Sequence, residues 1–118
     1  MNHQSGKTKL NMRSSYRKAY LRNQVIHLIT FGHLKSTKAN VKEVRRLAEK
    51  LVTVAKYGND FNARRKAYSL LPYKESALLK LFTDIAPKYK DRPGGYTRII
   101  SLGRRPSDTA QVARLEWV

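Results

Sequence analysis

The chain has 118 residues, with 25 Lys or Arg against 8 Asp or Glu, a formal net charge of +17 and a pI near 10.5. It lacks cysteine, which excludes disulfides and Cys-based zinc sites, and no apolar run approaches the roughly 18 residues that a membrane span needs. At 41% hydrophobic residues it can bury a core, so the charge belongs to a folded domain and not to a disordered basic tail. A compact body this basic repels itself, and a polyanion relieves the repulsion. The first partner indicated is nucleic acid, bound mainly through its phosphates.

The charge is uneven. The first 42 residues hold nine Lys or Arg and no acid; Glu43 is the first carboxylate. That composition also suits an organelle transit peptide, but the same stretch reads as part of the mature chain. Residues 1–13 have no periodicity and form an extended basic arm. Ser14 or Ser15 caps a first helix that runs to about Phe31 and ends at Gly32, with Leu21, Val25, Leu28 and Ile29 at i, i+4, i+7 and i+8. Arg13, Arg17, Lys18 and Arg22 crowd its first half, whereas Val25 to Phe31 carry no Lys or Arg. Such a helix pushes its front into an anion-rich site and anchors its back in the core.

Leu34 to Thr37 is a short strand. Thr37 or Asn40 caps a second helix that runs to about Lys56, and Asn40 with Glu43 has capping-box spacing. Its buried stripe is Val41, Val44, Ala48, Leu51, Val52 and Ala55, and Gly58 closes it. Asn59 or Asp60 begins a third helix through about Leu70. After Pro72 a fourth helix, about Lys74 to Ala86, turns Ala77, Leu78, Leu81, Phe82 and Ile85 inward and stops at Pro87. Pro93-Gly94-Gly95 is a tight turn. Tyr96 to Leu102 is β-rich, Gly103 to Thr109 is a loop, and Val112 to Trp117 alternates with the period of a strand. The last two strands pair as a hairpin. The order helix, strand, three helices, two strands predicts an α+β fold, helices packed on a small sheet, with residues 14–118 as one domain behind the arm.

The eight acids are scattered, His3, His27 and His33 form no ligand pattern, and no Walker-type loop is present. An enzyme, a cofactor and a metal site are therefore not expected. The basic residues fall into groups: the arm (Lys7, Lys9, Arg13), the front of the first helix, Arg45 and Arg46 on the second, and Arg92, Arg98, Arg104 and Arg105 around Gly94-Gly95 and the hairpin. Glycines let backbone amides approach a phosphate. Arg45 and Arg46 can instead pair with Glu43 and Glu49 on their own helix. Tyr16, Tyr20, Tyr89 and Tyr96 sit among cations and could stack on bases, whereas Phe82 and Trp117 suit the core. Phosphate and shape recognition are better supported than base reading.

Several segments together resemble a known family. Leu10 through Asn23 resembles the opening of the bacterial-type ribosomal large-subunit protein seventeen family, which has Arg-x-Ser-Ser-His-Arg and then Leu/Phe-Arg-Asn. Glu43-Val44-Arg45-Arg46 with Thr53-Val54-Ala55-Lys56, then Asn62-Ala63-Arg64-Arg65 and Leu81-Phe82, follow in family order. Arg92-Pro93-Gly94-Gly95-Tyr96-Thr97-Arg98-Ile99 is the most specific match. The resemblance covers nearly the whole chain.

It implies a structural constituent of the large subunit in a cytoplasmic or organellar ribosome. It also implies binding to large-subunit rRNA near the mouth of the peptide exit tunnel, beside neighbouring large-subunit ribosomal proteins, with no membrane and no small-molecule substrate. By matched position, Lys7, Lys9, Arg13, Ser14, Ser15, Arg17 and Arg22 are the foremost rRNA contacts, with Arg98 and its neighbours next; Lys18 joins them from its place on the first helix. The chain departs from the pattern at Met1-Asn2-His3-Gln4, at Tyr16 in place of His, and at Ser36 to Asn40 in place of Thr-Thr-Leu-Pro. The rival reading from charge alone is an architectural nucleic-acid-binding protein off the ribosome.

Overall fold

In a computed structural model, residues 10–56, 61–72 and 75–118 are described. Lys7, Lys9, the predicted helix-closing Gly58, Asn59, Asp60 and Lys74 lie outside them. The elements in chain order are α1 (Ser14–Phe31), β1 (His33–Thr37), α2 (Lys38–Ala55), α3 (Phe61–Leu70), α4 (Glu75–Lys80), β2 (Thr97–Arg104) and β3 (Gln111–Trp117). This is the predicted α+β order.

The three strands form one antiparallel sheet in the order β1-β3-β2. The C-terminal strand is thus central, paired with β2 as a hairpin and with β1 from the other end of the chain. On its inner side Ala113 and Leu115 are fully buried, opposite Leu34 of β1 and under the α2 stripe Val41, Val44, Ala48, Leu51, Val52 and Ala55. The stripe recurs at helical spacing, so α2 can bury one side and hydrate the other. It packs against α1, α3 and all three strands.

The back of α1 is anchored at several points. Val25, Leu28 and Ile29 are buried. Gly32 takes φ +83°, a left-handed value that suits glycine, and its N–H donates to the Leu28 carbonyl at 2.8 Å. Lys80 Nζ donates to the Thr30 carbonyl (2.9 Å) and Trp117 Nε1 to that of Leu28 (3.4 Å). Trp117 is half-buried against the core and Phe82 is buried.

Four local expectations are corrected. Arg13, not Ser14 or Ser15, occupies the cap position of α1, and no side chain caps it. The Asn40–Glu43 capping box does not form: α2 begins at Lys38 after Thr37, so Asn40 lies inside the helix and its Nδ2 donates to Ser36 Oγ (3.4 Å). The fourth helix is not uniform and Pro87 does not stop it. After Lys80 the turn widens over Leu81–Ile85, with Ala86 N–H reaching back five residues to the Leu81 carbonyl, and then tightens into a 3₁₀ turn over Ala86–Tyr89. Pro87 sits at the start of that tight turn, where its missing N–H costs no helical bond. Finally, β2 continues through Gly103 and Arg104, which the sequence placed in a loop. A bulge between Ser101 and Gly103 (φ +92°) absorbs the extra residue.

Candidate nucleic-acid interface

The front of α1 is built from a stripe that changes character along the helix. Lys18, Leu21, Arg22, Val25 and Leu28 lie on one face by their spacing. Val25 and Leu28 are buried and Leu21 is partly so, whereas Lys18 is exposed. The first buried residue, Val25, is eleven positions past Ser14, or about 16 Å along the axis. The front turns therefore stand clear of the core and present Arg13, Ser14, Ser15, Tyr16 and Lys18 to solvent, with Arg17 half-buried. The first turn holds no acid, so the positive end of the helix dipole adds to the basic side chains.

Arg22 is the exception. Its Nε donates to the Leu70 carbonyl (3.1 Å) and its other nitrogen to that of Ser69 (3.5 Å). These are the last carbonyls of α3, left without intrahelical donors. The predicted rRNA contact is thus a cation closing another helix 48 residues away in sequence.

On α2, Arg45 lies 3.8 Å from Glu49 and Arg46 3.8 Å from Glu43. These long, partly exposed pairs neutralise part of the charge and add little stability. Glu49 also accepts from Thr97 N–H (3.4 Å) and Oγ (3.2 Å), tying α2 to the start of β2.

The Arg92–Gly95 turn is held from behind. Lys56 Nζ donates to the Arg92 carbonyl (2.8 Å) and lies 5.3 Å from the Tyr96 ring centroid. The Arg92 guanidinium donates to the Gly95 carbonyl (3.3 Å). Gly95 takes φ +65°, whereas Gly94 does not need a positive φ, and the space around both Cα atoms is open. Tyr96 is 1% exposed and Tyr89 also buried, so neither can stack on a base; they pack on each other at 5.4 Å. Burial pushes the Tyr89 phenol up, against smaller opposing effects of Arg92 and Arg98. For Tyr96 burial acts the same way, but hydrogen bonds with Lys56 and Thr53 and the Lys56 charge outweigh it and hold the phenol below its usual range. Of the four tyrosines considered for stacking, Tyr16 is 62% exposed and Tyr20 half-buried.

At the hairpin, Arg98 Nε donates to Glu116 (2.8 Å). Arg105 grips Asp108 with both arms (2.9 and 2.6 Å), and Ala110 N–H also donates to that carboxylate (3.2 Å). The Arg105 hydrogen bond and then the Ala110 amide hold the Asp108 carboxyl at about 2. Arg105 therefore closes the hairpin turn, while Arg104 beside it is exposed and has no acid partner among the described residues. Two cations that the pattern did not single out, Lys35 and Arg114, face each other across β1 and β3. The alternation of β1 and β3 puts each on the outer face, but their pairing depends on which strands meet.

Among the described residues no group of three or more His, Asp or Glu side chains is placed to hold a metal, and no helix is long and apolar enough to cross a membrane. A hollow of about 540 Å³ between α3 and α4 is lined by Phe61, Tyr68, Leu78, Leu79 and Phe82 together with Arg64, Arg65 and Glu75. The molecule is a basic α+β scaffold whose distinctive chemistry lies in charged outer surfaces.

Comparison with known proteins gives the class its family. A model described as Ribosomal protein L17 matches residues 20–118. The chain is 47% identical over 113 residues to Large ribosomal subunit protein bL17 of Thermoanaerobacter sp. (strain X514), covering 96% of this chain and 99% of that one. It is 44% identical over 118 residues to the protein of the same name from Desulforapulum autotrophicum (100% and 97%), and 48% identical over 113 residues to that from Borrelia hermsii (96% and 90%). The chain belongs to the ribosomal protein L17 family, a family of structural, non-enzymatic ribosomal components.

Proposed function

We propose that this chain binds and organises large-subunit rRNA near the mouth of the peptide exit tunnel, beside neighbouring ribosomal proteins. The observation that carries the reading is α1: one continuous helix, buried at its back and basic, acid-free and exposed at its front. In this reading Lys7, Lys9 and Arg13 of the basic arm add phosphate contacts to those of the helix front. Arg17, Lys18, Ser14 and Ser15 supply phosphate contacts from the helix front. Arg45 and Arg46 on α2, and Arg92, Arg98 and Arg104 with Arg105 at the turn and hairpin, form further contacts. Among the described residues nothing lies within 4 Å of a Cβ built at position 94, so the turn is open to a close approach of a phosphate backbone. Arg22 supports the interface from behind by fixing α1 against α3.

Affinity then comes mostly from charge neutralisation. With about eight to ten phosphates contacted, log K for a large-subunit rRNA transcript should fall with log salt at a slope on the order of −6 to −9. A slope shallower than about −2 argues against the reading. In a native lysate the protein should sediment with large subunits and leave them on RNase treatment; a position at the top of the gradient in both samples would sink the proposal. A photo-crosslinking residue at Tyr16, mapped onto the rRNA, tests the tunnel-mouth location.

A further inference from the structure

The outer face of the sheet carries a charge pattern that the isolated chain does not balance. Across the strands, His33, Glu116 and Arg98 form one row, and Lys35, Arg114 and Ile100 the next. Like charges directly opposite on neighbouring strands are destabilising, yet Lys35 and Arg114 occupy such a pair. The carboxylate within reach, Glu116, is already committed: Arg98 holds it with a 2.8 Å hydrogen bond. Arg114 Nε lies 3.5 Å from the other oxygen of Glu116 but makes no hydrogen bond there, although that nitrogen is buried. Lys35 is exposed and has no acid partner among the described residues. Beside it, Lys35, Arg104, Arg105 and Val112 border a hollow of about 290 Å³. Arg105 is matched by Asp108, which leaves Lys35, Arg98, Arg104 and Arg114 served by one carboxylate.

We propose that this face is a second RNA-binding surface, in which the Lys35–Arg114 pair clamps a backbone phosphate and Arg104, which borders the same hollow as Lys35 at the hairpin end, a neighbouring one. It rests on the rRNA-binding reading above and extends it to Lys35 and Arg114, which that reading does not include. A phosphate between two facing cations turns a repulsive pair into two attractive ones, reached through the exposed part of the Arg114 guanidinium. RNA backbone is favoured over a protein neighbour because a run of phosphates matches several cations spaced across three strands.

The test uses the full-length chain and a large-subunit rRNA transcript, comparing wild type, Lys35→Gln and Lys35→Arg. For K35Q we expect affinity at about 0.15 M salt to fall roughly 3- to 10-fold and the salt slope to become shallower by about 1, the mark of one lost phosphate contact. The thermal midpoint of the free variant should hold or rise by about 1–3 °C, because a repulsion has been removed. K35R should restore affinity and slope. Wild-type affinity and slope in K35Q would overturn the proposal, and so would a parallel loss of stability and binding that K35R does not rescue. If K35Q binds RNA normally but fails to enter large subunits, the face belongs to a protein neighbour and the proposal is again overturned. Failure of the wild-type chain to bind the transcript would instead overturn the underlying rRNA reading.

Discussion

Replacing Arg22 with Ala separates the two roles that its position allows. The 3.1 Å bond to the Leu70 carbonyl has a charged donor but is only partly buried, and the 3.5 Å bond to Ser69 is exposed and at the limit of useful length. We assign about 1 kcal/mol to the first, below the roughly 1.5–3 kcal/mol of a well-buried charged hydrogen bond because this one is only partly buried, and close to nothing to the second. A cation at a helix C-terminus adds about 0.3–1 kcal/mol. Rotamer freedom regained on truncation returns about 0.5 kcal/mol. The net loss is on the order of 1 kcal/mol. At about 2.1 cal/mol/K per residue, unfolding entropy for a chain of this size is roughly 0.25 kcal/mol/K, so the midpoint should fall by about 4 °C.

Thermal unfolding of the free protein by circular dichroism, beside Arg17→Ala, reads this directly. R17A should leave the midpoint within about 1 °C and weaken rRNA binding, because surface substitutions away from structural bonds change stability little. R22A should do the reverse at first order, losing stability with a smaller effect on the salt slope. An unchanged midpoint in R22A, with an affinity loss like that of R17A, would refute the assignment of this guanidinium to the end of α3.

Two further predictions concern the turn and the hairpin. Gly95→Ala must hold a side chain at φ +65°, which costs about 1 kcal/mol and lowers the midpoint by about 4 °C, whereas Gly94→Ala should be neutral in the free protein and weaken only RNA binding; equal midpoints for the two variants would contradict this. For Asp108 the folded carboxyl lies at about 2, below its ordinary value of 3.8. The contribution of the Asp108 clip is therefore present above pH 4 or so and lost as pH falls through about 2. Asp108→Asn should melt earlier than wild type at about pH 5–7, with the gap closing toward pH 2; a gap independent of pH would show that charge plays no part in the clip.

The sequence by itself determined the elements and their sides. Helical spacing in Val41 to Ala55 marked the buried face of α2, alternation in Val112 to Trp117 marked the last strand, and the absence of acids before Glu43 marked the part of the chain with unopposed positive charge. These are local properties: period and charge are carried by neighbouring residues and survive without a partner. Pairing across the chain was not legible in the same way. Arg22 and Arg17 look alike in sequence, and the carbonyls at the end of α3 distinguish them. Tyr89 and Tyr96 sit among cations in sequence and yet are buried, because the C-terminal strand and α2 close over them from a distance. Lys35 and Arg114 become neighbours because β3 inserts between β1 and β2. Pro87 reads as a stop, yet the wide turn before it lets the chain continue. Only the tertiary structure decided which of the described cations bond within the fold, because a hydrogen bond or a cross-strand pair is set by distance in space, and residues 48 or 79 positions apart carry no mark of it in their order.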